Sequence, residues 1–369
     1  MAELVALVGR HLRTTARSRS ARAALLALVV GLALAAWTGR AMPSASLVLL
    51  GGLFVVLLVV TGFAVGAGTV LPEDRVAGRE AWLATLAPPA WKRRLAVVLS
   101  GWLLAVGLGL VGGTLAGVVG TLVRDDIVPR AARAVPMPEA RMIGGSEPLR
   151  IALPADADPG SELELEVRPL IRGMNLIDAA TVVWSTETGS GSLRVPVRGP
   201  IRLVPPEGSR EVGLAIMTRN VRMRLVEARL LGRARAPVPV LAWVGLLLGL
   251  CAGAVAPVAV LLSRVTTGQT AAAGAFCLLL LGAVKGGMRE LAARLEPEGF
   301  QSVVPVLLEG FAWLAPDAPI LAVLVEATDQ RAPPLGAFGL VLPALAYTVV
   351  VAVLASVPAP ARLREGANT

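Results

Sequence analysis

Six stretches of the chain carry long apolar runs, and one region between the third and fourth runs alternates apolar and polar residues with a period of two. A helix rises 1.5 Å per residue, so crossing roughly 30 Å of hydrocarbon takes about 20 mostly apolar residues. The runs predict spanning helices from about Ala21 to Trp37, Ala45 to Leu71, Leu95 to Val123, Val238 to Leu262, Thr270 to Val284 and Phe338 to Val357. The first is short, so Arg22 is expected to snorkel to the headgroups, and the second is long enough to tilt. Arg40, Pro43 and Ser44 make the turn between them.

The alternating region runs from Glu147 to Gly232, with Leu163, Leu165 and Val167 set between Glu162, Glu164, Glu166 and Arg168. Further strands are predicted at Leu149–Leu153, Thr181–Thr186, Leu193–Val197, Ile201–Val204, Glu211–Thr218 and Arg222–Leu230. Asp158-Pro159-Gly160, Gly189-Ser190-Gly191 and Pro205-Pro206-Glu207-Gly208 supply the turn chemistry that separates strands. Short strands at this spacing indicate a small β-sandwich, with Trp184 in its core. The expected architecture is a polytopic α-helical membrane protein of about six transmembrane helices with an inserted extracytoplasmic all-β, sandwich-like domain. Its expected segments are an interfacial helix at 1–20, helices one to three at 21–123 with a loop at 72–94, and a linker at 124–146 rich in Pro, Ala and Arg. The β domain follows at 147–232, then helices four to six at 233–358 with an outer segment at 288–336, and a tail at 359–369.

Composition sharpens this picture. The 369 residues are 55% hydrophobic with a mean hydropathy of +0.70, and only 17% are charged, against about 25% in soluble domains. The formal charge of +9 comes almost wholly from arginines beside the apolar runs, which marks topology and not nucleic-acid binding. Arginine so outweighs lysine, present at Lys92 and Lys285 alone, that a GC-rich bacterial source is expected. Arg10, Arg13, Arg17, Arg19 and Arg22 precede the first run, and Arg75, Arg79, Lys92, Arg93 and Arg94 lie between the second and third. The positive-inside rule places both groups in the cytoplasm, together with Arg264 and the tail carrying Arg362 and Arg364. Both termini are then cytoplasmic, in a bacterial cytoplasmic (inner) membrane, and 124–237 lies outside. Leu4, Val5, Leu7, Val8 and Leu12 share a helical face opposite Glu3, Arg10 and Arg13, so an interfacial helix is expected there and not a cleaved signal peptide.

Candidate chemistry is sparse. Cys251 and Cys277 lie in apolar runs, His11 is the single histidine, and no phosphate-binding Gly-x-x-x-x-Gly-Lys sequence precedes a helix. A metal centre, a Ser-His-Asp triad and autonomous ATP hydrolysis are therefore not expected; no catalytic residue and no directly bound cofactor are assigned. Gly107, Gly109, Gly112, Gly113, Gly117 and Gly120 fall within the third run, where small residues allow close helix approach in lipid.

The loop at 72–94 carries Glu73-Asp74-Arg75, then Gly78-Arg79-Glu80, Trp82-Leu83, Thr85 and Pro88, before Trp91-Lys92-Arg93-Arg94 opens the third helix. In the order of Glu73, Asp74, Arg75, Gly78, Leu83, Thr85, Pro88 and Arg93, the chain resembles permease subunits of the type-2 ABC exporter superfamily. Arg79 stands where the family usually has Thr, the Pro is displaced beyond Thr85, and Ser100-Gly101-Trp102 replaces the usual Gly-Lys. The resemblance implies a coupling helix docking in a separate ABC ATPase subunit that holds ATP and Mg, and a second permease as homo- or heterodimer partner. Trp82, Leu83 and Leu86 on one side and Asp74, Arg75, Arg79 and Glu80 on another would also suit a membrane-surface helix. Two further readings remain open. One is an ion-coupled secondary transporter using Glu309, Asp317 and Glu326 as a substrate or ion path. The other is a non-transporting scaffold that shows its β domain to a periplasmic or envelope partner.

Overall fold

A computed structural model describes the chain apart from residues 1, 42–43, 69–88, 139–141, 145–147, 155–159, 172–178, 197–199, 219–220, 265, 295–305, 307–309, 311–319, 333–337 and 357–369. The chain divides into a helical unit, Met1–Ile127 with Ala236–Thr369, and a β unit, Val128–Arg235.

The helical unit comprises α1 (Ala2–Ala16), α2 (Arg19–Gly39), α3 (Ala45–Gly68), α4 (Ala90–Val123), α5 (Pro237–Gly253), α6 (Val255–Leu262), α7 (Gly268–Arg294), α8 (Ile320–Thr328) and α9 (Phe338–Ser356). Four stretches of the described residues are long and apolar enough to cross a membrane: Arg19–Gly39, Ala45–Ala67, Trp91–Val123 and Pro237–Leu262. The expected fifth and sixth spans correspond to shorter apolar stretches, Gly268–Gly282 and Leu342–Ser356. The helices that hold these stretches, α7 and α9, run to 27 and 19 residues. In α7 the apolar run stops because Lys285, Arg289 and Glu290 follow it, although the helix itself continues to Arg294.

Boundaries shift for local reasons. The first apolar helix starts at Arg19, two residues before the predicted Ala21, because the Ser18 hydroxyl caps it by accepting a hydrogen bond from the Ala21 amide at 3.1 Å. Pro89, extended at φ −60° and ψ 150°, launches α4 five residues ahead of the predicted Leu95. The added turn holds Trp91, Lys92, Arg93 and Arg94 in helix. The predicted fourth helix is broken at Ala254, where the amide bonds back to Ala252 and Cys251. Pro257 explains the break: it has no amide to give the Gly253 carbonyl, and its ring crowds that group.

Burial sorts the helices. The apolar window of Pro237–Leu262 is 89% buried, against 17% for Arg19–Gly39, so α5 and α6 form the centre and α2 the periphery. Leu241, Val244, Leu247, Leu248 and Cys251 of α5 join Leu49 and Leu53 of α3, Val323 and Leu324 of α8 and Val351 of α9 in one cluster.

The β unit holds two antiparallel sheets. Strands β1 (Arg130–Ala134), β9 (Val221–Ala234), β4 (Glu162–Ile171) and β7 (Ile201–Leu203) lie side by side in that order, with β2 (Met142–Ile143) also on β9. In the second sheet β3 (Leu149–Ala152), β8 (Glu211–Ile216), β5 (Ala179–Ser185) and β6 (Ser190–Pro196) are neighbours in that order. Inward residues of both sheets, among them Ile151, Leu163, Leu165, Val182, Val212, Leu214 and Leu225, make one core, as in a sandwich. The sheets thus match the predicted strands, but the unit begins at Val128, inside the stretch read as a linker. Arg130-Ala-Ala-Arg-Ala134 shows no large-apolar alternation; its register is set by pairing along the long β9, with Ala132 opposite Leu231 and Ala134 opposite Arg229. Trp184 is half-buried and not fully in the core. Its ring lies over cross-strand Gly191, where a Cβ would stand 2.8 Å from the indole.

Glu164 points away from that core, yet it is 2% exposed. Arg202, directly opposite on β7, covers it with Nε at 2.9 Å and Nη2 at 2.8 Å from Oε2. Gly208, at φ +82°, turns the chain between β7 and β8 in a conformation that costs other residues strain.

Candidate functional site

The predicted coupling residues Glu73, Asp74, Arg75, Gly78, Arg79, Glu80, Trp82, Leu83, Thr85 and Pro88 lie outside the described residues. The helices on either side of them are described. A Cβ on Gly101 of α4 would stand 3.1 Å from Ala67 Cβ of α3, one on Gly112 2.8 Å from Val56, and one on Gly52 of α3 3.7 Å from Ala116. These pairs run in opposite order along the two helices, so α3 and α4 are antiparallel neighbours, with Gly68 and Ala90 at the same end of the bundle.

At that end α1 packs on α4. Leu4, Leu7, Val8, His11, Leu12 and Thr15 of α1 are half-buried and spaced as one helical stripe. Glu3 closes the contact: its Oε2 lies 2.6 Å from Nζ of Lys92, which also stands 5.7 Å from the Trp91 ring centroid. The hydrogen bond from Lys92, and then its charge, hold the Glu3 carboxyl below the usual carboxylate range. The apolar face expected to lie in the membrane interface is therefore turned at least partly onto α4.

Above this base, α4 and α5 meet along glycines on both sides. Gly109, Gly113 and Gly117 recur every four residues on α4, and Gly245, Gly249 and Gly253 do so on α5. A Cβ on Gly113 would lie 2.8 Å from Gly245 Cα, one on Gly109 2.9 Å from Gly249 Cα, and one on Gly117 2.9 Å from Val238 Cα. No side chain larger than hydrogen fits there, which lets the backbones touch and gain dispersion contact without a hydrophobic driving force. The α4 glycines were legible as a packing stripe; their α5 partners were not singled out, although the same four-residue spacing could have revealed them.

Of the three carboxylates read as an ion path, only Glu326 belongs to the described residues. Glu309 and Asp317 lie outside them. Glu326, near the end of α8, has Arg331 Nη1 at 3.8 Å, and Asp329 shares the same guanidinium at 3.2 Å. Among the described residues no three His, Cys, Asp or Glu side chains gather as a metal site.

Two features escaped the sequence reading. Thr61 of α3 is 2% exposed, and its hydroxyl makes no hydrogen bond among the described residues. A shallow groove between α2, α3 and α4 is lined by apolar residues, including Leu32, Ala35, Val48, Gly52, Ala116 and Gly120. Its wall suits hydrocarbon and offers nothing to a polar cargo. Comparisons with protein-family models, with curated proteins and with solved structures found no match to this chain.

Proposed function

We propose that this chain is the membrane-spanning permease subunit of an ATP-driven ABC exporter, coupled to a separate ATPase subunit through residues 72–94. The observation that carries the reading is the acidic-basic, Gly78, Leu83-x-Thr85, Pro88 sequence, set between two apolar antiparallel helices, α3 and α4. A short helix with rigid Trp82 and Leu83 anchors can seat in a partner's groove. Displacement of such a helix acts on α3 and α4 directly, since it is continuous with both. On α4 the push is delivered to a helix already clamped at its base by Glu3 and Lys92 and locked along its length to α5.

In this reading α7 and α9 complete six crossings, both termini face the cytoplasm of a bacterial inner membrane, and the β unit faces outward. A second permease completes the translocation unit. ATP and Mg bind in the ATPase subunit, and this chain performs no catalysis of its own.

The test is a pull-down of tagged full-length protein from its native membrane, with copurifying proteins identified by mass spectrometry. Wild type is expected to retain an ATPase, and Gly78→Pro with Leu83→Asp to lose it at equal membrane insertion. Failure of wild type to retain any ATPase under conditions that preserve other membrane complexes would rule the reading out.

A further inference from the structure

We propose that the exposed arginine face of α1 is a docking surface for anionic phospholipid headgroups, clamped to the base of α4 by Glu3 and Lys92. The inference rests on membrane embedding and is independent of the ATPase-coupled reading.

Three observations carry it. First, α1 has two faces with different employment: the stripe Leu4, Leu7, Val8, His11, Leu12 and Thr15 is half-buried against the bundle, while Arg10 and Arg13 are exposed, and so is Arg17 just beyond the helix. Positions 10, 13 and 17 fall on one side at helical spacing, so three guanidiniums face the same way. None of the three makes an ion pair among the described residues. Second, the helix lies beside the charged ends of apolar helices. Arg19 and Arg22 are exposed in the first turn of α2, an apolar helix long enough to cross a membrane, and Trp91, Lys92, Arg93 and Arg94 open α4, which is another. Cationic and indole side chains at the ends of apolar helices sit where hydrocarbon gives way to headgroups. Third, the 2.6 Å ion pair of Glu3 with Lys92 fixes one end of α1 to α4. Neutralising Glu3 in that pair leaves the exposed face of α1 carrying positive charge alone.

The charge complement of such a surface is a sheet of phosphates, and a helix already lying at the interface meets phospholipid before any soluble anion. Guanidinium also suits phosphate better than ammonium does, through paired N–H donors. Docking there makes the position of the α4 base depend on the anionic lipid content of its leaflet.

The experiment uses full-length protein in nanodiscs of phosphatidylcholine, with and without phosphatidylglycerol. Amide exchange of residues 2–17 is followed by mass spectrometry. Phosphatidylglycerol is expected to slow exchange by about a hundredfold, on the scale of three interfacial arginines. The slowing is lost in Arg10→Gln/Arg13→Gln/Arg17→Gln and largely kept in the corresponding triple lysine variant. Peptides from α5 exchange alike in all variants, which separates lost docking from misfolding. Glu3→Gln raises exchange over residues 2–7 and leaves the lipid effect over 10–17; no such rise removes the clamp from the proposal. Equal exchange in the two lipid mixtures overturns the docking surface, and so does a lipid effect that survives in the glutamine variant. Slowing by inorganic phosphate in neutral discs would instead identify a free-anion site. Slowing that needs an added ATPase subunit would assign the face to a protein partner.

Discussion

Glu3 and Lys92 show how a single pair ties two elements that the chain separates by most of a transmembrane hairpin. Because the folded Glu3 carboxyl titrates below its ordinary range, its stabilising contribution is complete above the unfolded value and is lost as pH falls through the folded one. Amide exchange over residues 2–7, corrected for its intrinsic pH dependence, is therefore expected to accelerate on acidification below the usual carboxylate range. Glu3→Gln should flatten that dependence and exchange fast throughout. The glycines argue at the same scale. Adding a Cβ at Gly245 brings it 2.7 Å from Gly113 Cα, whereas at Gly107 it meets nothing within 4 Å. Gly245→Leu is expected to cost about 3 kcal/mol or more in overpacking, visible as a lowered melting temperature of the detergent-solubilised protein. Gly107→Ala should leave that temperature unchanged or raise it slightly, since alanine is the better helix former by up to about 1 kcal/mol.

At the scale of elements, the α4–α5 pair and the β4–β9 pair are the two long antiparallel contacts of their units, and each uses a different physics. The helices touch through absent side chains; the strands register through side chains present. Leu163, Leu165 and Val167 of β4 face the core, while Glu164 opposes Arg229 on β9 and Arg202 on β7. Covering Glu164 with guanidinium makes its removal costly, although half-exposed Arg202 can recover water. Glu164→Gln should destabilise the β unit by about 1–2 kcal/mol, or about 5–10 °C in its thermal transition, followed in the full-length protein by near-ultraviolet circular dichroism. Arg202→Gln should do the same, and the double variant less than the sum, because the two side chains share one interaction.

For the whole molecule, the expected topology predicts opposite accessibility at its two ends. In spheroplasts carrying single introduced cysteines on a cysteine-free background, Ser190→Cys in the β unit should react with an impermeant maleimide from outside. Arg17→Cys and Arg264→Cys should react only after permeabilisation. Labelling of all three from one side would contradict an odd number of crossings between Ser190 and each of the other two. The apolar groove between α2, α3 and α4 belongs to this scale as well, since only assembly of three helices creates it.

Apolar length was enough to pick out four helices long and apolar enough to cross a membrane, because that capacity is decided by local composition over about 20 residues. Period-two alternation located seven strands of the β unit for a similar reason: each alternate side chain must choose core or solvent on its own strand. The linker assignment failed at β1 because small, arginine-bearing strands take their register from a partner, here β9, that lies about 100 residues away in sequence. Nor could local pattern say that α1 turns its apolar stripe onto α4, that Glu3 meets Lys92, or that Gly245 and Gly249 face the glycines of α4. Those are long-range choices, settled only when complementary surfaces from distant segments close on each other at van der Waals distance.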